Sequence, residues 1–235
     1  MTSTQAEEQR IRSMYEQRFR VEARNYGYQW HPRNPVAQFY HAERDAACAA
    51  LLNRHQIHLD GQLILDVGCG AGGVLRMLME WGADPELLYG VDLVAGRLQT
   101  AHRRQPAMRL VQQTATALPC ADQAFDIVTQ WTMFSSLLDP AMRRAAAGEI
   151  ERVLRPGGWL LWYDLLDYID SPSVRGLDPD EVRALFPGCE PVALRRLHHR
   201  FIPRLAPRSP LLAQLLNAVP GLLRTNALML LRRTG

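Results

Sequence analysis

From residue 63 the chain alternates unbroken apolar runs with stretches at helical spacing: LILDVG, GVLRMLMEWG, LLYGVDL, GRLQTAHRR, RLVQQT, FDIVTQW, MRRAAAGEIERVL and GWLLWYDL. Continuous apolar runs predict strands buried on both faces, and the helices between them supply the crossovers of a parallel sheet. The pattern therefore predicts an α/β fold, a doubly wound, Rossmann-like sheet of seven strands. Upstream, residues 7–24 (EEQRIRSMYEQRFRVEAR) and 36–55 (VAQFYHAERDAACAALLNRH) predict two helices; in the second, Val36, Phe39, Tyr40, Ala47, Leu51 and Leu52 fall at helical spacing. Between them YGYQWHPRNP gathers two Tyr, a Trp, a His and two Pro, which predicts a loop presenting aromatics.

Past the fifth predicted strand, SPSVRGLDPDEVRALFPG predicts a loop and a short helix begun near Asp178-Pro179, and PVALRRLHHRF a strand. SPLLAQLLNAVPG predicts a helix with Ser209 as N-cap, Pro210 at its first position and a Pro220-Gly221 stop, and ALMLLRR closes the chain as a strand. The expected organisation is an N-terminal helical cap over residues 1–58, whose first 40 or so residues form a lid, and a core over 59–235 with an extra helix near 205–222 before the last strand. No repeat or low-complexity linker divides the chain.

Composition narrows the function classes. With 235 residues, 47% hydrophobic and 22% charged, the chain reads as an ordinary globular domain large enough for an enzyme. A formal charge of +3 is too small a surplus to favour a nucleic-acid partner. All 27 basic residues are Arg, which removes lysine Schiff-base chemistry. Cys48, Cys69, Cys120 and Cys189 lack C-x-x-C spacing, so no zinc site or disulfide framework is predicted and a cytoplasmic setting fits. No stretch reaches the roughly 18 consecutive apolar residues of a membrane helix. No His/Asp/Glu cluster has ligand spacing, so no metal is predicted.

Gly68, Gly70 and Gly73 in DVGCGAGG follow a strand and precede a helix with G-x-G-x-x-G spacing, and Asp92 ends the next strand. Such a turn allows close backbone approach, and such a carboxylate suits ribose hydroxyls, whichever nucleoside is bound. Asp66, two residues before the first glycine, would repel a diphosphate but tolerate a cationic or zwitterionic cofactor.

In order, LILDVGCGAGG, GVDL, the ALP of TATALPCADQAFDIV, and LRPGGWLL resemble the first four motifs of class I S-adenosylmethionine-dependent methyltransferases, over about residues 60–165. The resemblance implies S-adenosyl-L-methionine as cofactor. It implies that Gly68 and Gly70 approach its methionine part, that Asp66 helps order the loop and that Asp92 holds the ribose hydroxyls. Leu93 would pack on adenine, Gln130, just after the fourth strand, would lie near the methionine end, and LRPGG would turn into the fifth strand. Where the family usually carries an acid that accepts from the adenine amino group, this chain has Gln113, Thr114 and Ala115; the Thr114 hydroxyl or backbone groups remain as acceptors.

Methyl transfer from a sulfonium needs alignment and water exclusion, with a base where the acceptor must lose a proton. His31, His41, His198 and His199 are candidate bases because histidine titrates near neutrality, with His41 placed first. Tyr163-Asp164 ends the fifth strand where substrates enter such folds. The segment HHRFIPRLAPRSPLLAQLLNAVPGLLR could roof the substrate, form a dimer face or carry a lipid-linked acceptor. The expected activity is methyl transfer to a small-molecule acceptor at O, N or C, by a monomer or homodimer. Methylation of RNA or protein, a non-catalytic cofactor-binding subunit and an NAD-dependent oxidoreductase stay open as alternatives.

Overall fold

Strict alternation of side chains between two buried faces is what makes the apolar runs unbroken. In the computed structural model, which describes residues 3–22, 35–166, 172–199 and 224–235, Leu160 and Trp162 face one core cluster while Leu161 and Tyr163 face the other. Ala227, Met229 and Leu231 likewise oppose Leu228 and Leu230. The strands are β1 (Ile64–Val67), β2 (Leu88–Asp92), β3 (Arg109–Gln112), β4 (Phe125–Trp131), β5 (Leu154–Leu165), β6 (Cys189–His199) and β7 (Arg224–Arg233).

They form one seven-stranded sheet in the order β3-β2-β1-β4-β5-β7-β6. The first five strands pair in parallel, as expected. The last strand departs from that pattern. It is antiparallel to both neighbours, wedged between β5 and β6. An apolar run reads the same in either direction, so its sense is set by the connection from β6.

The helices are α1 (Ser3–Glu22), α2 (Pro35–Arg54), α3 (Gly73–Glu80), α4 (Ala95–Arg104), α5 (Pro140–Val153) and α6 (Pro179–Leu185). Cys48, Leu51 and Leu52 of α2 pack with Leu75, Leu78 and Leu98 of α3 and α4 on one face of the sheet. Ala146, Ile150 and Val153 of α5, Val182 of α6 and Ile11 of α1 belong to the opposite cluster. Asp178 caps α6, accepting from the Asp180 and Glu181 amides at 2.8 and 3.0 Å with Pro179 following, as the sequence indicates. The first helix begins four residues earlier than expected, at Ser3.

LRPGG is not a simple turn before β5 but an excursion within it: Leu154 pairs with Phe125, and pairing resumes only at Trp159 with Ile127. Strand order reverses between β1 and β4, so a crevice opens at the carboxyl ends of these strands, where ligands bind in doubly wound sheets. The expected extra helix near 205–222 and the aromatic loop YGYQWHPRNP, apart from Pro35 at the start of α2, lie outside the described residues.

Candidate active site

At the end of β1 the chain turns through Gly68 (φ +80°), Gly70 (φ +56°) and Gly72 (φ +75°). The turn is tied to β2, because the Gly68 and Cys69 amides both donate to the Val91 carbonyl at 2.8 and 3.0 Å. Two of these positions demand glycine on two grounds: the left-handed backbone and the space. A Cβ on Gly68 would lie 3.1 Å from Met133 Cβ, and one on Gly70 would lie 2.7 Å from the Arg97 guanidinium.

Asp92, at the end of β2, accepts from the Gly70 amide through Oδ2 and from the Val94 amide through Oδ1, both at 2.8 Å. The carboxylate thus clamps the glycine turn to the start of α4. Asp66 behaves otherwise than the resemblance implies. It reaches across to β4, where Thr129 Oγ1 donates to its Oδ1 at 2.7 Å, while Oδ2 is buried without a partner. Loop order therefore falls to Asp92. Burial, reinforced by the Asp92 charge, pushes the Asp66 carboxyl up to about 7.

Gln130 lies within β4, not just after it. Its Oε1 accepts from the Met133 amide at 2.8 Å, and its buried Nε2 lacks a partner. Thr114 Oγ1 is 3.0 Å from Thr116 Oγ1, and the Gln113 side chain accepts from the Thr114 amide at 2.9 Å.

Gly68, Asp92, Leu93, Thr114 and Ala115 together line one open cavity. Asp66, Gly70, Gln130 and His41 do not line it. Other walls include Arg97, Trp131 and Met133, which the sequence reading did not single out, and, from the α1 part of the expected lid, Glu8, Ile11 and Tyr15. Helix α1 is fastened over the cavity. Glu7 accepts from the Leu138 amide at 2.8 Å, Arg10 donates to the Ser136 carbonyl at 2.6 Å, and the Tyr15 hydroxyl meets Ser136 Oγ at 2.7 Å. The Arg97 guanidinium stands 5.1 Å from the Tyr15 ring centre. No motif announces these contacts, because they join positions more than eighty residues apart.

The candidate bases separate. His41 sits half-buried on α2, where burial and then the Arg44 charge hold its imidazole below the usual range. His198 is buried on β6 and bonded to Tyr163 and Glu43. Asp164 is buried beside Tyr163, accepting from the Ser135 and Leu165 amides at 3.1 and 2.8 Å; burial pushes its carboxyl up to about 6. His31 and the side chain of His199 lie outside the described residues.

Parallel strands around a glycine turn, an acid ending β2 and a cavity at the strand-order reversal form the layout with which doubly wound sheets hold a nucleoside-bearing ligand. Residues 64–158 match the family described as "Methyltransferase domain". The chain is 36% identical over 111 residues to phthiotriol/phenolphthiotriol dimycocerosates methyltransferase 1 of Mycobacterium ulcerans, a match covering 46% of this chain and 40% of that protein. It is 38% identical over 107 residues to the malonyl-[acyl-carrier protein] O-methyltransferase of Enterobacter lignolyticus, covering 43% and 38%. The chain thus spans about two fifths of the length of these curated relatives. Among solved structures, an S-adenosylmethionine-dependent methyltransferase of Methanosarcina mazei superposes with a TM-score of 0.60 at 16% identity, over 78% of this chain and 97% of that one, and so shares the fold. Among the described residues no helix is long and apolar enough to cross a membrane.

Proposed function

We propose that the chain transfers a methyl group from S-adenosyl-L-methionine to a small-molecule acceptor. The observation that carries this reading is the cradle formed by the Gly68–Gly70 turn and Asp92, opening into a cavity at the carboxyl ends of the strands. In it the glycine backbone approaches the methionine part. The lone pairs that Asp92 does not spend on backbone amides take the ribose hydroxyls. Leu93 and Ala115 flank the adenine, and Thr114 or the backbone beside it reads the amino group.

Asp66 and Gln130 lie behind the cavity wall, each with one buried polar atom unpartnered: an acceptor, Oδ2, and a donor, Nε2. That pair suits a zwitterionic ligand end, directly or through a bridging water. Asp66, carrying part of its charge near neutral pH, disfavours a diphosphate behind the glycine turn. The cofactor, when bound, supplies an electrophilic methyl group on a sulfonium. The protein's part is to align the acceptor and keep water away, and α1 serves the latter by laying Ile11 and Tyr15 over the cavity.

In this reading residues 1–58 are a cap and 59–235 the catalytic core. A small acceptor is supported by the roofed cavity and by the relatives, whose names specify dimycocerosate and malonyl-carrier-protein acceptors. Calorimetry with S-adenosylmethionine, S-adenosylhomocysteine and NAD tests the proposal. Saturable binding of the first two supports it, and binding of NAD alone overturns it.

A further inference from the structure

Glu43 of α2, Tyr163 of β5 and His198 of β6 meet although they are far apart in sequence. His198 Nε2 is 2.7 Å from the Tyr163 hydroxyl, and His198 Nδ1 is 3.0 Å from Glu43 Oε2. Both rings are buried, and the Tyr40 and His198 rings meet nearly at right angles with centres 4.6 Å apart. His198 holds a left-handed backbone, φ +59°, inside a strand, a conformation that disfavours residues with a Cβ. Its amide is turned to the same Glu43 oxygen at 3.3 Å. The strained residue is therefore gripped at backbone and ring by one carboxylate.

The direction of the hydrogen bonds follows from chemistry. A carboxylate only accepts, so Nδ1 carries the proton and Nε2 of a neutral ring accepts from the tyrosine hydroxyl. The groups facing His198 are Glu43, Arg44 and His41 from α2, Tyr163 from β5 and Arg224 from β7. Burial, with the charges of Arg44 and Arg224, holds its imidazole below the usual range against the pull of Glu43. Burial raises the Glu43 carboxyl, but the His198 hydrogen bond and nearby positive charge outweigh it and leave the group below the usual range. A neutral imidazole bonded to a carboxylate is a proton acceptor at rest.

This chain of groups ends beside the cavity. Tyr163 is the Cα partner of Trp131, a cavity residue, and their rings stand 5.2 Å apart. The Arg44 guanidinium lies 4.5 Å from the Trp131 ring centre and 6.0 Å from that of Tyr163, and Trp131 Nε1 is buried with no partner. Tyr163, with its hydroxyl on His198, thus stands on the strand next to a cavity wall whose Trp131 N–H is unspent.

We propose, resting on the methyltransferase reading, that Glu43, His198 and Tyr163 form a proton relay and that the acceptor is a hydroxyl compound, giving an O-methyl product. The acceptor oxygen forms its bond to the methyl carbon as the carbon–sulfur bond breaks, with that electron pair staying on sulfur. Its proton passes to the Tyr163 oxygen while the tyrosine proton passes to His198 Nε2. The resulting imidazolium faces Glu43, and the positive charge lost from the sulfonium is the one gained by the ring.

The test uses the full-length protein with isotope-labelled histidine, and the variants H198N, Y163F and E43Q. Asparagine is chosen because it tolerates the left-handed backbone. Two-bond nitrogen–proton spectra of the wild type at neutral pH are expected to show His198 neutral and protonated on Nδ1, with the Nε2 signal moving in Y163F. Labelled methyl is then offered to hydroxyl probes (catechol, naphthohydroquinone, a hydroxy fatty acid) and amine probes (glycine, benzylamine), with cofactor affinity followed by calorimetry.

Transfer to a hydroxyl probe is expected. It should fall roughly a hundredfold or more in H198N and Y163F with cofactor affinity kept, and its pH profile should shift in E43Q. A His198 proton on Nε2, an imidazolium at neutral pH, or transfer confined to amines or absent while the cofactor binds overturns the relay. Wild-type protein that binds no S-adenosylmethionine defeats the methyltransferase reading itself, and the relay with it.

Discussion

The Asp92 carboxylate holds the Gly70 amide at 2.8 Å, so the group proposed to receive the ribose also holds the turn that receives the methionine end. Its other oxygen holds the Val94 amide. In Asp92→Asn one oxygen becomes an NH2 that must face a backbone N–H, donor against donor. Hydrogen bonds to a charged group are worth about 1.5 to 3 kcal/mol. The variant should therefore lose about 1 to 3 kcal/mol in urea denaturation and bind S-adenosylmethionine at least roughly tenfold more weakly by calorimetry. Full stability with weakened binding would mean that the clamp contributes nothing to the fold.

Gly68 tests strain against space. Gly68→Ala places a Cβ at φ +80° and 3.1 Å from Met133 Cβ, and the left-handed backbone alone costs about 1 to 2 kcal/mol. Met133→Ala would still present a Cβ to that contact, whereas Met133→Gly removes it. Adding Met133→Gly to Gly68→Ala should thus recover the steric part of the lost cofactor affinity but none of the backbone part, read against the Met133→Gly single variant in a double-mutant cycle.

Tyr15 joins α1 to both walls of the crevice, through Ser136 and through Arg97. Tyr15→Ala should loosen the roof over the cavity. Stopped-flow release of S-adenosylhomocysteine is expected to quicken several-fold, and methyl transfer to fall more than equilibrium cofactor affinity, because water exclusion suffers before the glycine turn does. Unaltered release kinetics would show that α1 is a passive cover.

Asp66 makes a pH prediction. Its carboxyl is raised from an ordinary 3.8 to about 7 by burial and the Asp92 charge, so the folded state binds its proton more tightly than the unfolded chain does. The sign follows: this stabilisation is complete below pH 3.8, declines as pH rises and is lost once pH passes about 7. Asp66→Asn should flatten that part of the stability profile and gain on the wild type toward neutral pH. Parallel profiles for the two proteins, measured by chemical denaturation across that range, would contradict the buried, unpartnered state of Oδ2.

The sequence alone determines the doubly wound core, because each βαβ unit is local. An apolar run long enough for a strand, a glycine turn and a helix-period stretch succeed one another within about thirty residues, and handedness and strand neighbours follow from chain connection. The glycine turn and Asp92 were legible for the same reason, and so was the Asp178 cap of α6, which acts on amides two and three residues ahead. The direction of β7 was not legible, since its alternating faces fit a parallel or an antiparallel neighbour equally well.

Nor did the sequence show that Asp66 would turn to Thr129 while Asp92 took over the glycine turn, because both acids lie within reach of it. Glu43 carries no signal at all. It is one acid among several polar residues of α2, and only the packing of α2 against β6 brings it to His198, 155 positions away. Such pairings depend on where whole elements come to rest, a matter of summed burial over two core faces, and no short window of residues contains that sum.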